Sequence, residues 1–267
     1  MINNSDCLNL WNRKSRRNFT LDHPDESITN ITSMHKLLIF LFLSAAAISA
    51  NAAGLIDAPY QRAIDTAAPA PPFWNDIVAF KKQDAINPPP ANPILLVGSS
   101  SFTRWKDVND YFPGYPILNR GFGGSVLTDV IRYAYDIIIP YHPKQVLIYC
   151  GENDLAASDT VRAATAVLRF KTLYGIIRQN LPNTVIGFVS IKPSPSRAKI
   201  QRQVIEANRQ IKAFLAGQKN AQFIDIYKDM LDANGQMREE LYVGDRLHMK
   251  PEGYAIWKKK IAPCLLK

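Results

Sequence analysis

An α/β fold built on a parallel sheet is predicted by three features of the sequence. Short apolar runs recur between residues 94 and 226, they lack in-out alternation, and helical stretches separate them. Strands of that kind are buried on both faces, and helices between them cover a parallel sheet on both sides. At 267 residues and 47% hydrophobic content, the chain suits one α/β domain and carries no disordered or collagen-like bias.

Taken in order, residues 1–33 are polar and include the run Arg13-Lys14-Ser15-Arg16-Arg17. Met34 to Ala53 reads MHKLLIFLFLSAAAISANAA: Lys36, an apolar run from Leu37 to Ala47, then Ala50-Asn51-Ala52. A cation, an apolar stretch and a small-x-small site make a secretory signal. Translation is therefore expected to start at Met34, with residues 1–33 a misassigned or disordered extension, and the product to be periplasmic or extracellular. The competing reading, a membrane anchor, needs about 20 apolar residues. The run here is shorter, so no stable membrane span is expected after cleavage.

Residues 54–92 form a lead-in. Two proline-rich stretches, Ala67 to Pro72 and Pro88 to Pro90, bracket a helical pattern from Phe73 to Asp84 with Phe73, Trp74, Ile77, Val78 and Phe80 apolar. From Pro93 to the end a regular alternation follows. Strands are expected at Ile94 to Val97, Ile117 to Asn119, Val146 to Cys150, Val185 to Ile191 and Phe223 to Ile226. Helices are expected at Ser101 to Asn109, Ser125 to Ile138, Thr160 to Asn180, Ser196 to Ala216 and Pro251 to Ile261. Gly98, Gly121, Gly151 and Lys192 then fall just after strands, and open α/β sheets bind ligands outside the carboxyl ends of their strands.

Charge and cysteine content narrow the function classes. The formal net charge is +9, which favours encounters with anionic lipids, acidic polysaccharides or nucleic acid. Yet the cations are scattered, only Lys258-Lys259-Lys260 forms a run in the expected mature chain, and no aromatic-basic interleaving supports a nucleic-acid partner. Cys7 falls in the leader, leaving Cys150 and Cys264, whose pairing an exported location permits without implying it. No Cys or His cluster has metal-ligand spacing, so neither a metal nor a cofactor is expected.

Four short stretches carry the chemistry. Gly98-Ser99-Ser100-Ser101 follows a strand and opens a helix, where serine is both a good cap and a residue exposed to free backbone N–H groups. Arg120-Gly121-Phe122-Gly123-Gly124 is no dinucleotide loop, because Val126 stands where GxGxxG needs glycine. It is either a plain turn or the source of an oxyanion donor. Gly151-Glu152-Asn153-Asp154 puts an amide side chain beyond the central strand, where it can donate to developing negative charge or serve a turn. Asp245-Arg246-Leu247-His248 puts a carboxylate three residues from an imidazole, the pair that orients and stabilises a general base. The other histidine of the mature chain, His142, has no acid beside it in Tyr141-His142-Pro143-Lys144. A serine, two oxyanion donors and a base with its acid are the parts that ester hydrolysis requires.

Together, in this order, the four stretches resemble the GDSL family of serine esterases and lipases in its SGNH hydrolase branch, over roughly Pro93 to Pro263. The resemblance implies a three-layer α/β/α, flavodoxin-like fold with a five-stranded parallel sheet. By motif it implies a catalytic triad of Ser100, His248 and Asp245, with Ser100, Gly124 and Asn153 at the oxyanion hole. Trp105 matches a tryptophan common in the family's first block. The aspartate of that block is Ser99 here, so three serines stand in a row; counting from Gly98 and from Trp105 both select Ser100.

The expected protein is an exported serine ester hydrolase working through an acyl-enzyme, on small acyl or acetyl esters of carbohydrate or on lysophospholipids. Arg120, Lys192 and Arg197 are candidate substrate contacts. The alternative is a non-catalytic carbohydrate- or surface-binding module on the same fold. The sequence leaves the oligomeric state open.

Overall fold

The computed structural model describes residues 69–267. The expected signal at 34–53, the extension before it and Cys7 lie outside the described residues. In chain order the elements are α1 (Trp74–Ile86), β1 (Ile94–Gly98), α2 (Ser100–Thr103), α3 (Val108–Tyr111), β2 (Ile117–Gly121), α4 (Leu127–Arg132), α5 (Ala134–Ile137), β3 (Gln145–Tyr149), α6 (Glu152–Ala156), α7 (Ala163–Asn180), β4 (Val185–Val189), α8 (Gln201–Ala216), β5 (Ala221–Ile224) and α9 (Pro251–Ile261). Short 3₁₀ turns connect several of them.

The five strands form one parallel sheet in the order β2-β1-β3-β4-β5, the flavodoxin-like arrangement. Side-chain alternation divides the core in two. Leu95, Val97, Val146, Ile148, Ile186 and Phe188 face one layer, built from α1, α4, α5, α7 and α8. Ile94, Leu96, Leu147 and Tyr149 face the other, where Phe102, Trp105, Tyr254 and Trp257 of α2, the turn after it and α9 pack. Because β2 and β3 lie on opposite sides of β1, the winding reverses at β1, and a crevice opens at the carboxyl edge of such a switch point. Gly98, Gly121 and Tyr149 are in register there, so the loops after three strands start level.

Three helices differ from the periodic pattern. The stretch from Ser101 to Asn109 divides into α2 and α3, because Trp105 turns inward, fully buried, against Tyr254 at 4.8 Å and Phe112 at 5.6 Å. The stretch from Ser125 to Ile138 breaks at Tyr133, whose hydroxyl donates to the Pro72 carbonyl at 2.6 Å. The stretch from Ser196 becomes helical only at Gln201, after a 3₁₀ turn begun by Pro195. Strand β5 begins and ends two residues before its expected place: Ile226 is buried, but its N–H bonds the Ser190 hydroxyl rather than a neighbouring strand. Cys150 and Cys264 are free thiols. Among the described residues no helix is long and apolar enough to cross a membrane.

Candidate active site

The turn after β1 is fixed by what glycine alone allows. Gly98 has φ 132°, and a Cβ there would stand 1.9 Å from the Tyr149 carbonyl oxygen. The chain can therefore run close to β3 and turn directly into α2. Each serine that follows has its own partner. Ser99, buried, accepts a hydrogen bond from Asn153 Nδ2 at 2.8 Å, which supplies the local bonding left open by the absent aspartate. Ser101 is buried beside Tyr149, and its carbonyl accepts from the Tyr254 hydroxyl at 2.8 Å. Ser100, partly exposed, lies with Oγ 3.0 Å from His248 Nε2.

The imidazole arrives from the last loop, before α9. His248 Nδ1 is 2.6 Å from Asp245 Oδ2, while Asp245 Oδ1 accepts the backbone N–H groups of Leu247 and His248, both at 2.9 Å. Desolvation works to raise the Asp245 pKa, but the hydrogen bonds from the His248 ring and from these two N–H groups outweigh it and hold the carboxyl well below the usual carboxylate range. An ionised Asp245 makes Nδ1 the protonated nitrogen and leaves the Nε2 lone pair facing Ser100.

Opposite the imidazole stand the expected oxyanion donors. Gly124 has φ 86° and is exposed at the rim. Among the described residues neither the Ser100 nor the Gly124 backbone N–H has a partner within the protein. Asn153 Nδ2 donates to Ser99 Oγ and to the Ser125 carbonyl at 3.0 Å, so a bound carbonyl oxygen would compete with Ser99 for one of these hydrogens. The next residue, Asp154, is fully buried; it accepts from Leu127 N at 2.9 Å and Arg169 Nη1 at 2.7 Å. That ties the loop after β3 to the start of α4 and so to the Gly124 loop.

Two expected substrate contacts are elsewhere. Arg120 is buried, with its guanidinium on Asp84 of α1 and its Nε donating to the Tyr141 hydroxyl at 2.9 Å. It fastens α1 to β2 instead of facing the crevice. Lys192 is also buried. Its Nζ lies 2.5 Å from Glu152 Oε2 and 2.9 Å from Ser194 Oγ, and Ser194 and Tyr149 also donate to the Glu152 carboxylate. A charge placed by sequence beside a strand end reads as exposed; the acids that draw these two inward lie 36 and 40 residues away in the chain. Arg197 is partly exposed on the 3₁₀ turn after β4, with Nη1 buried and unpartnered.

Sequence reasoning missed three features. The buried Glu152–Lys192 pair had a visible half, since Glu152 adjoins Asn153. Phe73 packs against Gly124 from the lead-in segment, with ring carbons 3.8 and 3.9 Å from the position of a Cβ. An open groove of about 800 Å³ begins at Leu155, two residues beyond Asn153, and is lined further on by Val161, Arg162, Lys199, Arg202 and Ile205. Cys150, though next to the motif, is no rival nucleophile, because burial raises its thiol pKa well above the ordinary value. Among the described residues no three His, Cys, Asp or Glu side chains converge as metal ligands would.

The sequence pattern of the GDSL-like lipase/acylhydrolase family matches residues 96–256, and the chain belongs to that family. It is a carboxylic ester hydrolase. No curated protein matches the chain significantly. Solved structures share its fold. A GDSL-like lipase from Bacteroides thetaiotaomicron is 20% identical with a TM-score of 0.60, covering 70% of this chain and 96% of its own. A Bacteroides fragilis protein described as an acylhydrolase is 21% identical at 0.61, covering 72% and 96%. A catalytic mutant of an acetylxylan esterase from Geobacillus stearothermophilus is 14% identical at 0.52, covering 65% and 94%.

Proposed function

We propose that this esterase works through a Ser100-His248-Asp245 triad and an acyl-enzyme. The observation that carries the reading is one line of contacts, 2.6 Å from Asp245 to His248 and 3.0 Å from His248 to Ser100. His248 Nε2 takes the Ser100 proton as Oγ attacks the ester carbonyl, and the carbonyl oxygen becomes an oxyanion held by the N–H groups of Ser100 and Gly124 and by the Asn153 amide. The imidazolium, stabilised by ionised Asp245, returns that proton to the departing alcohol. Water then attacks the acyl-enzyme, giving its proton to His248; the same proton passes back to Ser100 Oγ as the acid leaves.

The substrates we propose are acetyl or other small acyl esters of carbohydrates, with lysophospholipids the second class. A fold neighbour named as an acetylxylan esterase supports the first, and export through residues 34–53 would deliver the enzyme to such polymers. Arg197, partly exposed on the 3₁₀ turn after β4, is the remaining candidate for contact with an anionic substituent.

Ser100→Ala and His248→Ala should each lower kcat on p-nitrophenyl acetate by on the order of 10⁶-fold, and Asp245→Asn by on the order of 10⁴-fold. Full activity in either of the first two refutes the assignment. A fluorophosphonate probe should label the wild type and not Ser100→Ala; a binding module on this fold would take no label. A hydrolysis panel of acetylated sugars, lysophospholipids and short acyl thioesters ranks the substrate classes.

A further inference from the structure

We infer that Phe73, from a segment that precedes the part of the chain matched by the family pattern, sets the length of acyl group the enzyme accepts. The inference rests on the proposed role of Ser100 and Gly124, and adds to it a specificity residue supplied by the N-terminal arm.

Position is the first reason. A Cβ on Gly123 would lie 3.9 Å from Ser100 Cβ, and one on Gly124 would lie 3.8 Å from the Phe73 ring. Two consecutive glycines thus have the nucleophile against one and an aromatic edge against the other. Both glycines are exposed and Phe73 is half-buried, and the Phe73 Cε1 and Cζ lie at the Gly124 flank. A group attached to the carbonyl carbon on this flank meets an aromatic wall.

Rigidity is the second. Phe73 has φ 66°, a left-handed backbone that an aromatic residue adopts only when its surroundings impose it. Here they do. The Phe73 carbonyl accepts the N–H groups of Asp76 and Ile77 at 3.0 and 3.2 Å, starting α1. Its ring meets Phe122 edge-on at 5.3 Å, and the Tyr133 hydroxyl holds the Pro72 carbonyl at 2.6 Å. At the far end of α1, Asp84 receives Arg120 and the Tyr141 hydroxyl. An arm secured at both ends makes a wall that excludes rather than one that yields.

The test compares kcat/KM for p-nitrophenyl acetate, butyrate and hexanoate in the wild type, Phe73→Ala, Phe73→Leu and Phe73→Trp, together with the rate of fluorophosphonate labelling and the melting temperature. One extra methylene in an apolar pocket changes selectivity by about 10-fold or more. Phe73→Ala should therefore raise the hexanoate-to-acetate ratio at least about 10-fold, with Phe73→Leu between and Phe73→Trp at or below the wild type. A ratio within about twofold of wild type in variants that fold and label normally overturns the inference and leaves the triad standing. So does an equal fall on all three esters, which marks plain packing. If Phe73→Ala does not fold, the Leu and Trp pair decides. A wild type that neither labels nor hydrolyses any ester defeats the triad itself.

Discussion

Ser100 and His248, the proposed nucleophile and base, are held in place by opposite means. Ser100 stands on a turn that the sheet dictates: β1 is buried throughout, Gly98 is pressed against β3, and the flanking serines are enclosed. His248 stands on a loop between residues 242 and 250, closed at its base by an antiparallel bridge of Tyr242 with Met249 and by the Val243 N–H on the His248 carbonyl at 2.9 Å, with an exposed tip at Gly244 to Arg246. That loop is held by bonds to its neighbour after β4: the Tyr242 hydroxyl donates to the Pro193 carbonyl, and Ser196 N–H to the Arg246 carbonyl at 3.1 Å. The neighbour in turn is pinned by Lys192 to Glu152, the residue before Asn153. One half of the site is positioned by backbone packing, the other by a polar network that starts in the core.

The largest effect should come from the smallest chemical change, on the rigid side. Gly98→Ala adds one methyl at a φ of 132° and within 1.9 Å of a carbonyl oxygen, a backbone clash that no rotamer relieves. Destabilisation of at least about 4 kcal/mol is expected, read as loss of soluble protein or of the cooperative melt. A variant that melts near the wild type would show that the turn is looser than its packing indicates.

Next comes the network beneath the base. Glu152→Gln leaves Lys192 buried without its counter-charge, which costs about 3–5 kcal/mol. The variant should also alter the response to acid. Burial works to raise the Glu152 pKa, but the Lys192 ammonium and the Ser194 hydroxyl outweigh it and hold it below its ordinary value. A carboxyl with a depressed folded pKa contributes stability in full above its unfolded value of about 4.3, and loses it as pH falls through the folded one. Urea melts at falling pH should therefore show a shallower loss in Glu152→Gln than in the wild type below about pH 4.3. Equal slopes would remove Glu152 from the acid response.

The same contrast explains what the sequence could and could not reveal. Uninterrupted apolar runs announce the strands, and Ser100, Gly124, Asn153, Asp245 and His248 lie in short motifs whose spacing is local, so they can be read without a fold. The structure brings Ser100 and His248 together across 148 residues, a convergence that strand-end placement makes legible. The burial of Arg120 and Lys192 is not legible in the sequence, because burial of a cation depends on an acid distant in the chain and no local pattern encodes it. The helix breaks at Trp105 and Tyr133 arise likewise from aromatic packing against Tyr254 and Phe122, contacts that periodicity cannot register. Phe73 reads as an ordinary apolar position of an amphipathic helix; only its left-handed backbone and its contact with Gly124 distinguish it.

The smallest effect is expected on the base loop itself. Arg246 has φ 55°, a left-handed conformation that costs a side-chain-bearing residue about 1–2 kcal/mol. Its guanidinium pairs with Glu239 at the exposed surface, an ion pair worth about 0–1 kcal/mol. Arg246→Gly relieves the first and forfeits the second, while glycine adds about 0.5–1 kcal/mol of unfolded-chain freedom. The three nearly cancel, so the melting temperature should hardly move. The Arg246 carbonyl still accepts from Ser196, so Asp245 and His248 keep their geometry and kcat on p-nitrophenyl acetate should fall by less than about threefold, since each tenfold loss needs 1.36 kcal/mol of transition-state stabilisation. A fall of a hundredfold or more with an unchanged melt would mean that backbone stiffness at Arg246, rather than the network through Pro193 and Lys192, keeps the imidazole on Ser100.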